Sequence, residues 1–426
     1  MSERTYGFNT LAIHAGAQPD PATGARVTPI YQTTSYVFED VQHAADLFAL
    51  RAFGNIYTRI MNPTQAVLES KIAALEGGTA ALAVASGHAA QFIVFHTLMQ
   101  PGDEFIAARQ LYGGSINQFA HSFKSFDWNV VWADAEKPET FEAALSPKTK
   151  AIFVESIANP GGRITDLAAI AKIARKARVP LIVDNTLATP YLCRPFDHGA
   201  DIIVHSLTKF MGGHGNSIGG VVVDGGKFDW GRDDKYPLLS EPNASYNGIK
   251  LYETFGNIAF AITCRVIGLR DFGPAISPFN AFLILTGMET LSLRMQRQSD
   301  NALKVAQWLK KDGRVEWVNF AGLEGDKDYA LHRKYCPKGA GAVFTFGLKA
   351  GFEAGKALVS NVKLLSHLAN VGDTRTLIIH PASTTHSQLS PDQLKLAGAG
   401  QEVVRLSIGL EDVEDVIADL DEAMGS

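Results

Sequence analysis

From about residue 64 to residue 224, short β-branched and apolar runs alternate with longer helical patterns, and this alternation constrains the fold most. The runs are ALAVA (81–85), EFIAA (104–108), NVVWA (129–133), KAIFV (150–154), PLIVD (180–184), DIIVH (201–205) and GVVVD (220–224). Seven such runs predict one sheet. Segments such as TDLAAIAKIARKA (165–177) lie between them, with Asp166 in position for a first helical turn and basic residues in the last, as the helix dipole favours. Val and Ile at consecutive positions imply burial on both faces, so the reading is α/β: a mainly parallel sheet wrapped by helices. In such sheets ligands bind beyond the carboxyl ends of the strands.

The first 63 residues break the pattern. TPIYQTTSYVFED and FGNIYTRIMNP mix aromatics, Asn and Pro over a stretch too long for an ordinary connection, and they read as an arm. Residues 64–285 form the large domain in this reading. Residues 286–426 form a smaller α/β domain, with alternation in GAVFTFGL (341–348) and an amphipathic helix over 411–424.

The 426 residues are 46% hydrophobic and 19% charged, enough for a large core, and the formal charge of −5 comes without a basic block that would suit nucleic acid or an anionic membrane. No apolar run reaches the ~18 residues of a membrane span, and the opening MSERTYGFNT does not resemble a secretory leader. Cys193, Cys264 and Cys336 lie far apart without a CxxC, which argues for reduced thiols, against a disulfide framework or a zinc site, and for a cytoplasmic protein. No metal is expected.

Polar residues gather where the strands end. Run 81–85 leads into SGHAA, 150–154 into ESIANP, 180–184 ends on Asp184, and 201–205 is followed by Ser206, Thr208 and Lys209. Taken singly these are ordinary: a cap at Ser86, a turn at Asn159, a solvated lysine. Together they fit one ligand. A partly buried lysine loses its proton more easily, and the neutral amine is a nucleophile toward an aldehyde. Ser206, Thr208 and the free N–H groups of a helix opened by SGHAA suit a phosphate. Asp184, 25 residues before Lys209, could keep a pyridine nitrogen protonated. An aldehyde, a phosphate and a pyridine ring together describe pyridoxal 5′-phosphate (PLP). The glycines of GGHGNSIGG (212–220) follow a lysine instead of a strand and lack a partner acid, which argues against a dinucleotide site.

The blocks GNIYTRIMNPT (54–64), ASGHAA (85–90), DEFIAARQLYGGS (103–115), VDNTLATP (183–190), HSLTKFMGGHG (205–215), HPASTTHSQLS (380–390) and VVRLSIGLED (403–412) resemble, in that order, the PLP-dependent Cys/Met-metabolism enzymes of the cystathionine γ-synthase type. The resemblance spans nearly the whole chain and implies the fold-type I PLP-dependent transferase architecture. It implies Lys209 as the Schiff-base lysine, Asp184 as the partner of the pyridine nitrogen, and Ser206, Thr208 and the backbone of Gly87 and His88 as phosphate ligands; His88 departs from the usual Met or Gln. Tyr112 matches the tyrosine that stacks on the ring and shuttles protons. Tyr57 and Arg59 match residues that reach a neighbouring subunit's phosphate, which implies a homotetramer built as a dimer of dimers; their spacing suggests an extended strand with both side chains on one face. Arg405 and Asn159 match the residues around the substrate α-carboxylate.

Within the family, LLSHLANVGDTRTLIIHPASTTH (364–386) and NTLAIHAGAQPDPATGARVTPIYQTTSYVF (9–38) look most like the O-acetylhomoserine sulfhydrylases, as does the insertion 229–256. Arg375 stands where cystathionine-handling relatives tend to carry a glutamate, and Gly114 where methionine γ-lyases tend to carry a cysteine. The reaction implied is γ-replacement, O-acetyl-L-homoserine plus sulfide giving L-homocysteine and acetate. The sequence leaves open acetyl, succinyl or phospho donors, and sulfide or methanethiol as acceptor.

Overall fold

The computed structural model describes residues 5–385, 387, 394 and 398–425; residues 1–4 and part of the 380–390 block lie outside them. All seven expected runs are strands of one sheet: β1 (Ala80–Val84), β2 (Glu104–Ala108), β3 (Asn129–Ala133), β4 (Thr149–Glu155), β5 (Leu181–Asp184), β6 (Ile202–Ser206) and β7 (Gly220–Asp224). Differences from the sequence reading are of one residue at some strand ends. β5, for example, opens at Leu181, because Pro180 has no N–H to give to a ladder.

The strand order is β1-β7-β6-β5-β4-β2-β3. The four pairings from β6 to β3 are parallel, and β7 runs antiparallel to both β1 and β6. β1 therefore points the same way as β4, β5 and β6, so four carboxyl ends share one rim. Every residue of β7 and the first four of β6 are buried, and since neighbours on a strand face opposite sides, both faces of the sheet are covered.

Helix Gly87–Leu98 is held to the sheet by aromatic packing: the Phe95 centroid lies 4.2 Å from Phe105 on β2, 5.3 Å from Phe119 and 6.1 Å from Phe153 on β4. Such contacts fix an element more firmly than buried area alone, and here they fix the helix whose first residues are Gly87 and His88. The insertion 229–256 docks against the same body. Trp230 stacks on Phe260 at 4.9 Å, and the Tyr236 hydroxyl donates to the Lys150 carbonyl at 2.9 Å.

A second sheet follows the 21-residue helix Leu291–Lys311. It contains β8 (Val315–Asn319), β9 (Val343–Leu348), β10 (Ser366–His367), β11 (Leu377–Ile379) and β12 (Val403–Ser407), in the order β10-β11-β12-β9-β8. The closing helix spans Val413–Gly425. The arm is tied down by the buried Lys71, whose ammonium donates to the carbonyls of Ala12 and Ile13 at 2.7 and 2.8 Å. Further along, the arm leaves Val27, Val37, Val41, Phe48 and Phe53 exposed.

One local expectation fails. Tyr57 makes an isolated bridge with Ser35, but the chain then turns, with the Ile60 N–H donating to the Tyr57 carbonyl at 2.9 Å. Arg59 is therefore in a turn and not on an extended strand. Its guanidinium lies 5.6 Å from the Tyr57 ring centre and donates to the Arg270 carbonyl. The turn brings the two side chains together more directly than a strand would.

Candidate active site

A cavity of about 290 Å³ opens at the rim where β1, β4, β5 and β6 end, and residues of the second sheet cover its far side. Its walls include Gly87, His88, Tyr112, Asn159, Asp184, Ser206, Thr208, Lys209 and Arg405. Strand ends collect such groups because the backbone there is released from the ladder while the strand beneath remains rigid.

Lys209 lies three residues past the end of β6. Burial, reinforced by the positive charge of Arg405, pushes its amine down to about 8, so the neutral nucleophile is accessible near physiological pH. The ammonium donates to Asn370 Oδ1. Asp184 ends β5 and is half-buried. Burial raises its carboxyl above the ordinary range, while bonds from Thr186 pull it back down. Its Oδ1 accepts from the Thr186 N–H at 3.0 Å. A cation placed beside Asp184 would restore the charged form.

Across the rim, Ser86 caps helix Gly87–Leu98 by accepting from the Ala89 N–H at 3.1 Å. The next N–H groups inward, of Gly87 and His88, have no carbonyl one turn earlier to bond to. These residues line the same cavity as Ser206 and Thr208, and the helix dipole adds partial positive charge there. A side chain at 87 would close the gap, since its Cβ would lie 2.9 Å from Ser206 Cβ; one at 220 would lie 2.7 Å from the Gly87 nitrogen.

The Tyr112 ring, 44% exposed, stacks on His88 with centroids 5.8 Å apart and planes 25° from parallel. Burial lowers the His88 imidazole, opposed by Asp184. Arg405 comes from the middle of β12. Its Nη1 donates to Asn159 Oδ1 and its Nη2 to the Asn370 carbonyl, both at 3.1 Å, and burial pushes it down to about 10, so it stays cationic.

Most of the residues singled out from the sequence therefore meet in one cavity. Three do not. Tyr57 and Arg59 are outside the lining of their own chain's cavity. Arg375 is on the surface, its side chain 69% exposed and paired with Asp373 at 3.2 Å. Glu155 and Asn370 are among the residues at the site that escape the sequence reading. Glu155, which ends β4 opposite Asp184, could have been found by the same strand-end reasoning, because it opens the segment ESIANP. Asn370 carries no such signal, since it enters from a loop of the second sheet.

An amine of lowered proton affinity, a half-buried carboxylate, two hydroxyls and a helix N-terminus are the kinds of group that the aldehyde, ring nitrogen and phosphate of PLP require. Among the described residues no cluster of three or more His, Cys, Asp or Glu is placed to hold a metal, and no helix is long and apolar enough to cross a membrane.

Comparison with known proteins agrees with this chemistry. The O-acetyl-L-homoserine sulfhydrylase of Leptospira meyeri is 51% identical, with 99% of this chain and 97% of the relative covered. O-acetyl-L-homoserine sulfhydrylase 1 of Thermus thermophilus is 54% identical over 98% and 99%. The homocysteine synthase of Schizosaccharomyces pombe is 46% identical over 100% and 99%. A crystal structure assigned to an O-acetylhomoserine (thiol)-lyase of Campylobacter jejuni, which carries a pyridoxyl-lysine monophosphate, superimposes with a TM-score of 0.96 at 39% identity, covering 99% of this chain and all of that one. The profile described as Cys/Met metabolism PLP-dependent enzyme matches residues 9–425, and with it the chain is placed as a member of that family of PLP-dependent enzymes.

Proposed function

We propose that the protein replaces the acetate of O-acetyl-L-homoserine with sulfide, releasing L-homocysteine and acetate. The observation that carries this reading is the convergence of Lys209, Asp184 and Arg405 on one cavity. The amine, ring-nitrogen and carboxylate functions that the chemistry requires are all present there. The similarity to sulfhydrylases and a homocysteine synthase over nearly full lengths supports the choice of substrate.

When bound, PLP supplies a protonated ring that accepts the electron pair left at the substrate α-carbon. Lys209 holds the cofactor through its side-chain nitrogen. When not bonded to the cofactor, Lys209 would take the proton from the substrate Cα and later return it, a task suited to an amine whose proton affinity burial lowers. Asp184 keeps the proton on the ring nitrogen. Gly87, His88, Ser206 and Thr208 bind the phosphate, and Tyr112 covers the ring and assists proton movement. Arg405, oriented by Asn159, receives the substrate carboxylate on its planar fork. Across the reaction the Cγ–O bond breaks and a Cγ–S bond forms, with no net oxidation.

In this reading Tyr57 and Arg59 complete the phosphate site of a second copy, in a cytoplasmic homotetramer assembled as a dimer of dimers. The apolar residues that the arm exposes support burial against such a copy. The chain divides into the arm 1–63, the cofactor domain 64–285 and the C-terminal domain 286–426. In this reading Arg375, on the surface of its own chain, carries a cation that disfavours acceptors bearing an ammonium group.

The test is a panel of acetyl-, succinyl- and phospho-homoserine, each with sulfide, methanethiol or cysteine. Homocysteine from the acetyl donor and sulfide is expected, with activity abolished and no borohydride-fixed cofactor in Lys209→Ala. Product from cysteine alone would move the assignment to cystathionine γ-synthase. α-Keto acid release from methionine would indicate a γ-lyase, and preference for the succinyl donor an O-succinylhomoserine sulfhydrylase.

A further inference from the structure

Glu155 is the one buried carboxylate of the cavity to which the reaction above gives no task. It ends β4 directly opposite Asp184 on β5, is 5% exposed, and uses both carboxylate oxygens. Oε1 accepts from the Tyr112 N–H at 2.7 Å, and Oε2 accepts from the Asn159 N–H at 2.8 Å. These two backbone sites lead to opposite walls. Tyr112 directly precedes helix Gly113–Ala120 and carries the ring stacked on His88, while Asn159 holds Arg405 of the second sheet.

We propose that Glu155 is a positioning residue that sets the Tyr112 ring and the Asn159–Arg405 pair at a fixed separation across the cavity, so that the cofactor ring and the substrate carboxylate are aligned with each other. The proposal rests on the functional reading given above. A carboxylate is suited to the task because it alone among side chains of this length presents two acceptor oxygens rigidly joined and no donor. An amide at 155 could accept from one N–H and would oppose its own N–H groups to the other. Burial and the adjacent Asp184 charge raise the Glu155 carboxyl well above its ordinary range, and the bonds it accepts from the Tyr112 and Asn159 N–H groups oppose that rise.

The experiment compares PLP-loaded wild type with Glu155→Gln and Glu155→Asp. Three readouts are taken: affinity of the stripped protein for PLP by equilibrium dialysis, the visible circular dichroism of the bound cofactor, and the kcat and KM for the amino-acid donor. Glu155→Gln is expected to raise KM and weaken PLP binding, each by roughly tenfold to a hundredfold, as for a charge-assisted hydrogen bond lost from a buried site. The visible dichroism should shrink with cofactor fully loaded, since the ring loses its fixed orientation. Glu155→Asp keeps the paired oxygens but withdraws them by one methylene, so it should recover part of both effects. Wild-type levels of all three readouts in folded Glu155→Gln would overturn the proposal. So would a loss of thermal stability in both variants with KM and dichroism unchanged in the folded fraction. PLP affinity and dichroism need no turnover, so a wild type that fails to process O-acetylhomoserine would count against the functional reading alone.

Discussion

Replacing Lys209 with methionine should stabilise the cofactor-free protein at neutral pH while removing its activity. The amine falls from an ordinary 10.5 to about 8 in the folded protein, chiefly through burial. At about 1.4 kcal/mol for each tenfold loss of proton affinity, carrying the charged lysine in the fold costs roughly 3 kcal/mol. Methionine, of similar length and uncharged, avoids that cost but leaves Asn370 Oδ1 without its donor, a loss of about 1 kcal/mol. The net gain at pH 7 is therefore about 2 kcal/mol. The sign of the pH dependence follows from linkage. Between about 8 and 10.5 the unfolded chain binds more protons than the folded one, so wild-type stability rises with pH across that window. Below it the full cost is present, and above it the cost is gone. Urea unfolding of cofactor-stripped wild type and Lys209→Met, followed by tryptophan fluorescence from about pH 7 to 10.5, should show the variant ahead at the start and no longer ahead at the end. A difference that stays constant over the range, or a wild type more stable at neutral pH, would refute the placement of the amine in a desolvated site.

Three further outcomes are expected. Arg405→Lys should raise the KM for the donor by roughly 10- to 100-fold with a smaller change in kcat, because an ammonium cannot reproduce the fork that spans Asn159 and Asn370; initial-rate kinetics decide it. In Gly114→Ala the new Cβ would lie 2.9 Å from both Tyr112 Cζ and His88 Cε1, and the half-exposed Tyr112 ring can swing outward to relieve the clash. Thermal stability should then change by less than about 1 kcal/mol while PLP affinity falls about tenfold by dialysis; unchanged affinity would mean that the ring does not stack on the cofactor. Arg294→Met should cost roughly 3 kcal/mol or more in thermal unfolding, since buried Arg294 donates to the carbonyls of Phe210, Met211 and Gly287 at 2.7, 3.2 and 2.7 Å, and two of these follow Lys209 directly.

The strands of the large sheet were legible because each is a continuous apolar run, the pattern of a strand buried on both faces. Their carboxyl-end residues were legible for a related reason. Once a run ends, the first polar residues must lie at the rim, which located Ser206, Lys209 and Asp184 without coordinates. The same reasoning reaches ESIANP but stops at Asn159, although Glu155 is the residue in register with Asp184. The Tyr57–Arg59 geometry differs from the sequence expectation for another reason. Spacing fixes which side chains share a face only when the backbone is regular, and here the chain turns after Tyr57.

The sequence by itself determined the sheet, its ligand-binding rim and the chemical kinds of group at that rim, since each follows from local hydrophobic pattern and chain order. Only the tertiary structure decided how the second sheet closes the cavity. Asn370 meets Lys209 across 161 positions and Arg405 meets Asn159 across 246, contacts that no local pattern encodes. It also decided the state of the groups. The displacement of the Lys209 amine toward neutral pH and the rise of the Glu155 carboxyl come chiefly from desolvation, which depends on everything packed around a group and not on its neighbours in the chain.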